Sequence, residues 1–283
     1  MPESSPLFPC LIENYSGLKL QYPTEGRRRW RLRVAQQFWS SVQSAKSLPL
    51  PLHGDVLTDV TVPMTANFVT DNDPLDVISS QLPQLGLILR TDFSDQNAWL
   101  AFCARLQEGE KEFAAESDDR GMQEAPDQGN SDDEDDEDPP PIFHLIDPTS
   151  PQERESLAHI SNLTALHLFN DVDVRSAPSP PQGTRRISPP NRLVDRHGWQ
   201  EIYLGKNIWI YDTKSNVDQC VRVVSQSADM YGTATGDSWR ARVSHICELQ
   251  VNLFSGSLKI DFGGLDRWDS SERQRNMKEA ERD

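Results

Sequence analysis

Negative charge in this chain is concentrated in one stretch, and that stretch limits what the chain folds into. Residues 108–138 hold 15 Asp and Glu against two basic residues, Lys111 and Arg120. They carry −13 of the formal net charge of −16, leaving −3 across the other 252 residues. The stretch includes the run SDDEDDEDPPP and has no aromatic residue after Phe113. It offers too little apolar area to offset the entropy of ordering, so a disordered acidic insertion over residues 114–140 is expected. Two uses for it stay open: a solvated spacer, or an element that contacts a basic protein partner or a basic patch on the same chain. Ser131, before Asp132, Asp133 and Glu134, is a candidate phosphorylation site of acidophilic type.

The basic counterpart is Arg27-Arg28-Arg29-Trp30-Arg31-Leu32-Arg33. Trp30, Val34, Phe38 and Val42 recur at spacing four, which predicts an amphipathic helix over residues 29–45. A nuclear-localisation or nucleic-acid patch, or pairing with the acidic tract, would use the same arginines. Nucleic acid is not the expected partner, because dedicated binders carry a larger basic surface.

Residues 85–90 form a continuous apolar run, as in a strand buried on both faces. A turn follows at 91–95, then a helix whose stripe is Trp99, Phe102, Cys103 and Leu106. Beyond the acidic tract, 141–147 reads as a second strand ending in Asp147, 150–160 as a helix, and 166–169 as a third strand. Residues 17–22 also look strand-like, and 47–65 look extended. From Gly198 the texture turns β: a hairpin over 200–213, a strand at 219–226, and strict alternation over 238–254. The fold class expected is therefore α+β, a mixed α/β layer followed by an antiparallel β-sheet. Its parts are an N-terminal extension with one helix (1–84), an α/β region (85–175) and a Pro/Ser/Arg linker (176–197). An antiparallel β region (198–265) and a polar helix or tail (266–283) complete the chain. In the linker, Ser188 after Arg185 and Arg186 is a second candidate phosphorylation site.

Nucleotide, hydrolase and zinc-protease signatures are missing from the sequence. His245 and Cys247, with Cys220 on a neighbouring strand, suit zinc by residue type, but a fourth ligand is not evident and core packing is the simpler reading. No metal and no cofactor is expected. The small-residue loop 232–237 reads as a β-connection. Four residues at strand ends form the candidate ligand-binding set: Arg90, Asp92 and Asp95 after one strand, and Asp147 after the next. Ligands in open α/β sheets sit at carboxyl ends of strands. Local capping is the competing role, and His144 or His245 are possible additions to the set. The Trp and Tyr residues of the β region line a ligand groove or fill a core.

Leu89-Arg90-Thr91-Asp92-Phe93-Ser94-Asp95 followed by Ala98-Trp99 resembles the opening of a family of uncharacterised microbial proteins, in which a strand ends in an RTDFSD-type turn before a helix. The resemblance covers residues 85–106 and implies a small α/β domain. It implies no catalytic residues.

No run of about 18 apolar residues exists, so no membrane contact is expected. The N-terminal MPESSPLFPC lacks a basic start and an apolar core, and the four Cys show no disulfide spacing. A cytoplasmic or nuclear protein is expected. The function expected is non-catalytic binding or interaction, with a protein partner reached through the acidic insert. The alternative is a small-ligand binder or enzyme at the strand ends 85–90 and 142–147.

Overall fold

The computed structural model describes residues 5–44, 67–81, 84–121, 140–178, 190–226, 236–260 and 269–282. Helices α1 (Leu7–Gln21), α2 (Arg27–Ser44), α3 (Asn67–Thr70) and α4 (Asp76–Gln81) precede strand β1 (Gly86–Arg90). Then come α5 (Gln96–Gly121), β2 (Phe143–Ile146), α6 (Pro151–Leu157), α7 (Asn162–Phe169) and β3 (Asp171–Ser176). The chain continues with β4 (Trp199–Leu204), β5 (Ile208–Tyr211), α8 (Ser215–Asp218), β6 (Cys220–Val224) and β7 (Ser238–Arg242). A 3-10 turn over Val243–His245 leads into α9 (Ile246–Ser255), and α10 (Ser270–Arg282) follows. Among the described residues no helix is long and apolar enough to cross a membrane.

The fold is α+β. A five-stranded mixed sheet runs in the order β2-β1-β5-β6-β7, beside a separate antiparallel pair, β3-β4. All five residues of β1 are buried, as its unbroken apolar run requires. It pairs in parallel with β2 on one side and β5 on the other. Side chains alternate across the sheet, so each strand feeds two cores. Leu89, Ile208 and Ile210 face α1, α2, α7 and the β3-β4 pair. Ile88, Trp209 and Tyr211 face α5 and α9. The α2 stripe of Trp30, Val34, Phe38 and Val42 is buried as its spacing predicts. Gly86 lets α9 approach: a Cβ there would meet the Gln250 carboxamide at 2.8 Å. That carboxamide accepts from Trp209 Nε1 at 2.9 Å and donates to the Gln84 carbonyl at 2.9 Å.

Several elements differ from expectation. Residues 17–22 belong to α1, because Leu11, Tyr15 and Leu18 bury at helical spacing. Residues 166–169 belong to α7, which Ser161 caps by accepting from the Thr164 amide at 2.9 Å. The third parallel strand is β5. The expected hairpin over 200–213 does not form: β4 pairs with β3, and β5 enters the large sheet. The alternating run at 238–254 is strand only to Arg242, then helix. Leu258 and Ile260 lie beyond α9 outside any strand. Helix α5 reaches Gly121, so the first part of the expected insertion is helical. Residues 122–139 lie outside the described residues, as do Ser131, Ser188, all of 47–65 and most of the 232–237 loop.

Four of the five arginines of the α2 cluster are engaged within the fold, and Arg29 is exposed. Arg27 donates to Asp171 at 2.7 and 2.8 Å. Arg28 pairs with Asp73 and Asp76. Arg31 Nε donates to the Val172 carbonyl at 2.8 Å, and Arg33 forks on Glu25 at 2.6 and 2.7 Å. Helix α10 is a structural element, not a frayed tail: Glu272 accepts from the Asn162 amide at 2.7 Å and Asn276 from the Leu163 amide at 3.2 Å. Together they satisfy two donors that the start of α7 leaves open.

Candidate functional site at the strand ends

The parallel strands place their carboxyl ends side by side. From β1 the chain moves out through α5 to β2, then crosses back to β5 on the other side of β1. The connections therefore diverge at β1, and the gap between the ends of β1 and β5 is where an open α/β sheet takes a ligand. Here that gap is filled by the protein's own hydrogen bonds. Thr213 Oγ1 donates to Asp92 Oδ2 at 2.6 Å and Asn216 Nδ2 to Asp92 Oδ1 at 2.8 Å. The Ser94 hydroxyl and amide donate to Oδ1 at 2.5 and 3.1 Å. Thr91 Oγ1 donates across to the Tyr211 carbonyl at 3.0 Å.

This network sets the chemistry of Asp92. Burial alone raises its pKa, but the hydrogen bonds from Ser94, Thr213 and Asn216 outweigh burial and hold it well below the usual carboxylate range. A carboxylate so stabilised is a poor base. His159 Nδ1 stands 3.9 Å away with its side chain 70% exposed.

Arg90 and Asp147 converge on the other side of β1. The Arg90 side chain is 1% exposed and Asp147 is 32% exposed. Arg90 Nη1 donates to Asp147 at 3.3 and 3.4 Å and to Gln96 Oε1 at 2.9 Å. Its Nε donates to the Asp92 carbonyl at 3.0 Å. The guanidinium carbon lies 5.1 Å from the Phe93 ring and 5.0 Å from the Trp99 ring. Trp99 Nε1 donates to Asp147 Oδ2 at 2.8 Å. Arg90 Nη2 is buried without an acceptor among the described residues. Neighbouring Cys103 is a thiol at neutral pH, since burial and then Asp147 push its pKa up to about 11.

The four expected residues thus fall into three roles. Arg90 and Asp147 form a pair. Asp92 ties the β1 end to the β5 end. Asp95 is exposed and accepts from the Ala98 amide at 2.9 Å, which caps α5. His144 sits on β2 opposite Leu87, and His245 is exposed in the 3-10 turn. The inward i, i+2 placement of His245 and Cys247 is lost, because Cys247 lies in the first turn of α9. Among the described residues no group of three metal-ligating side chains gathers.

Sequence reasoning missed a second polar cluster. Glu201 of β4 is fully buried and accepts from Trp39 Nε1 at 2.6 Å and from the Tyr203 hydroxyl. His167 Nε2 stands 3.1 Å from it and Arg192 Nε 3.6 Å. Burial raises the Glu201 pKa, but Arg192, then His167 and Tyr203, depress it to about 2. A Glu between Gln200 and Ile202 in a run with Trp199 and Tyr203 is the only signal the sequence offers. Comparison with protein-family models, with curated proteins and with solved structures finds no match for this chain, so its chemistry rests on this geometry.

Proposed function

We propose that this chain is a non-catalytic interaction protein whose acidic segment contacts a basic protein partner. The observation that carries the reading is Asp92. The ligand crevice of the sheet is closed by Thr213, Asn216 and Ser94, and its carboxylate is held in its charged form with four donors. Two further facts support it. The acidic segment departs from a fixed base: Glu110 of α5 accepts from the Ile142 and Phe143 amides at 2.9 and 3.0 Å, where the chain returns at edge strand β2. Arg27, Arg28 and Arg33 of α2 pair with Asp73, Asp76, Asp171 and Glu25, so these cations are already engaged within the fold. The test is quantitative co-purification with the full chain, with residues 122–139 deleted, and with Asp and Glu at 132–138 changed to Asn and Gln. Basic proteins captured by the full chain are expected to be lost from both variants. Capture unchanged by neutralisation reduces the segment to a spacer.

A second reading keeps the strand-end site as a small-ligand site. It is favoured by Arg90 Nη2, a buried donor without an acceptor among the described residues, beside a partly exposed Asp147.

A further inference from the structure

A cavity of about 430 Å³ opens between the β6-β7 face and the start of α10, lined by Lys214, Arg222, Ser238, Arg240, Asp269 and Ser270 among others. Arg222 and Arg240 are direct cross-strand partners, so their like charges lie on one face, an arrangement unfavourable without counter-charge. Asp212 supplies part of it, 3.1 Å from Arg222 Nη1 and 2.8 Å from Arg240 Nη1. Asp218 stands 3.1 Å from Arg240 Nη2. These acids engage the terminal nitrogens only. The Nε donors of both arginines are buried and have no hydrogen-bond partner among the described residues, and Arg222 is 8% exposed. Buried donors of this kind are costly unless an acceptor reaches them. Lys214 adds a third cation at the mouth, with its side chain 68% exposed and Nζ 3.5 Å from Asp269 Oδ2.

We propose that this cavity binds free inorganic phosphate, which keeps at least one hydroxyl near neutral pH. Guanidinium donors suit tetrahedral oxyanions, and charge-assisted bonds to them are the strong ones. Asp269 sets the choice among oxyanions. Its Oδ1 accepts from the Ser271 amide at 3.1 Å and the Glu272 amide at 3.2 Å, while Oδ2 faces Lys214. A phosphate retains a hydroxyl that can donate to Oδ2, whereas sulfate at neutral pH has only acceptors and is repelled. Because the chain carries −16 overall, non-specific attraction of anions is opposed.

The experiment is calorimetric titration of the full chain with inorganic phosphate and, in parallel, with sulfate, at low salt and near-neutral pH. Saturable phosphate binding with a Kd near or below about 1 mM is expected, with sulfate at least about tenfold weaker. Lys214→Gln should weaken phosphate about tenfold, the size of one charge-assisted bond. Arg240→Gln should abolish it. Lys214 is surface-exposed, so its variant keeps the test sound if Arg240→Gln fails to fold. No saturable phosphate binding, equal binding of sulfate, or phosphate binding untouched by Lys214→Gln would each overturn the proposal.

Discussion

Asp92 shows how one side chain closes a site. Its two oxygens collect donors from its own turn and from the α8 region, so one carboxylate adds to the Thr91–Tyr211 bonds that join the ends of β1 and β5. Replacing it with Asn puts an NH₂ group among donors and is expected to cost about 1–3 kcal/mol. The pH dependence has a definite sign. The folded pKa lies below the unfolded value of about 3.9, so this contribution is present above that value and is lost as pH falls toward the folded one. Urea melts across the acid range should show the wild-type advantage over Asp92→Asn shrinking below about pH 4. A constant gap would mean the charge contributes nothing. Single residues were unequally legible in the sequence. Asp95 as a cap and Arg90 beside Asp147 follow from turn chemistry and strand polarity. Glu201 does not, because its partners Trp39, His167 and Arg192 come from three distant segments.

At the scale of elements, legibility followed how many patterns a segment satisfies. β1 and β2 are short apolar runs bounded by turns, and α2 has one apolar stripe; each has a single solution. Residues 241–253 have two. Ala241, Val243, Cys247, Leu249, Val251 and Leu253 alternate, yet Val243, Ile246, Cys247 and Gln250 repeat at helical spacing, and beyond Ala241 of β7 these are the buried ones. Gly256, at φ 75°, ends α9 as a left-handed cap, a signal equally readable as a β-turn. The failed hairpin at 200–213 has a different cause: a Gly-Lys turn is compatible with two strands that part company, and only long-range pairing decides. One contact between elements has a measurable consequence. Glu110 holds the first residues of β2 from the neighbouring helix, so Glu110→Ala should raise amide hydrogen exchange at 142–146 while exchange in β5 stays unchanged. Equal exchange at 142–146 in both proteins would show that β1 pairing alone fixes this edge.

For the whole molecule, the pairing of β1 with β5 joins the α/β segment and the later β segment in one sheet. That the two parts pack together is legible in the sequence, since each supplies too few strands to cover its own apolar faces; that they share one sheet through β1 and β5 is not, because only long-range pairing decides it. The charge is distributed otherwise. Deleting residues 122–139 changes the net charge from −16 to −7, which relieves self-repulsion. The deleted chain should melt higher than the full chain at low salt, with the difference closing at about 1 M salt, where the screening length is roughly 3 Å. A lower Tm at both salts would mean the segment packs against the body. The clamp at Glu110 bears on engineering. Since the flanking backbone is held at Ile142 and Phe143, and closure entropy grows only with the logarithm of length, this position is a natural port for a reporter domain. A fluorescent protein spliced there would ride on the molecule without prying its sheet apart.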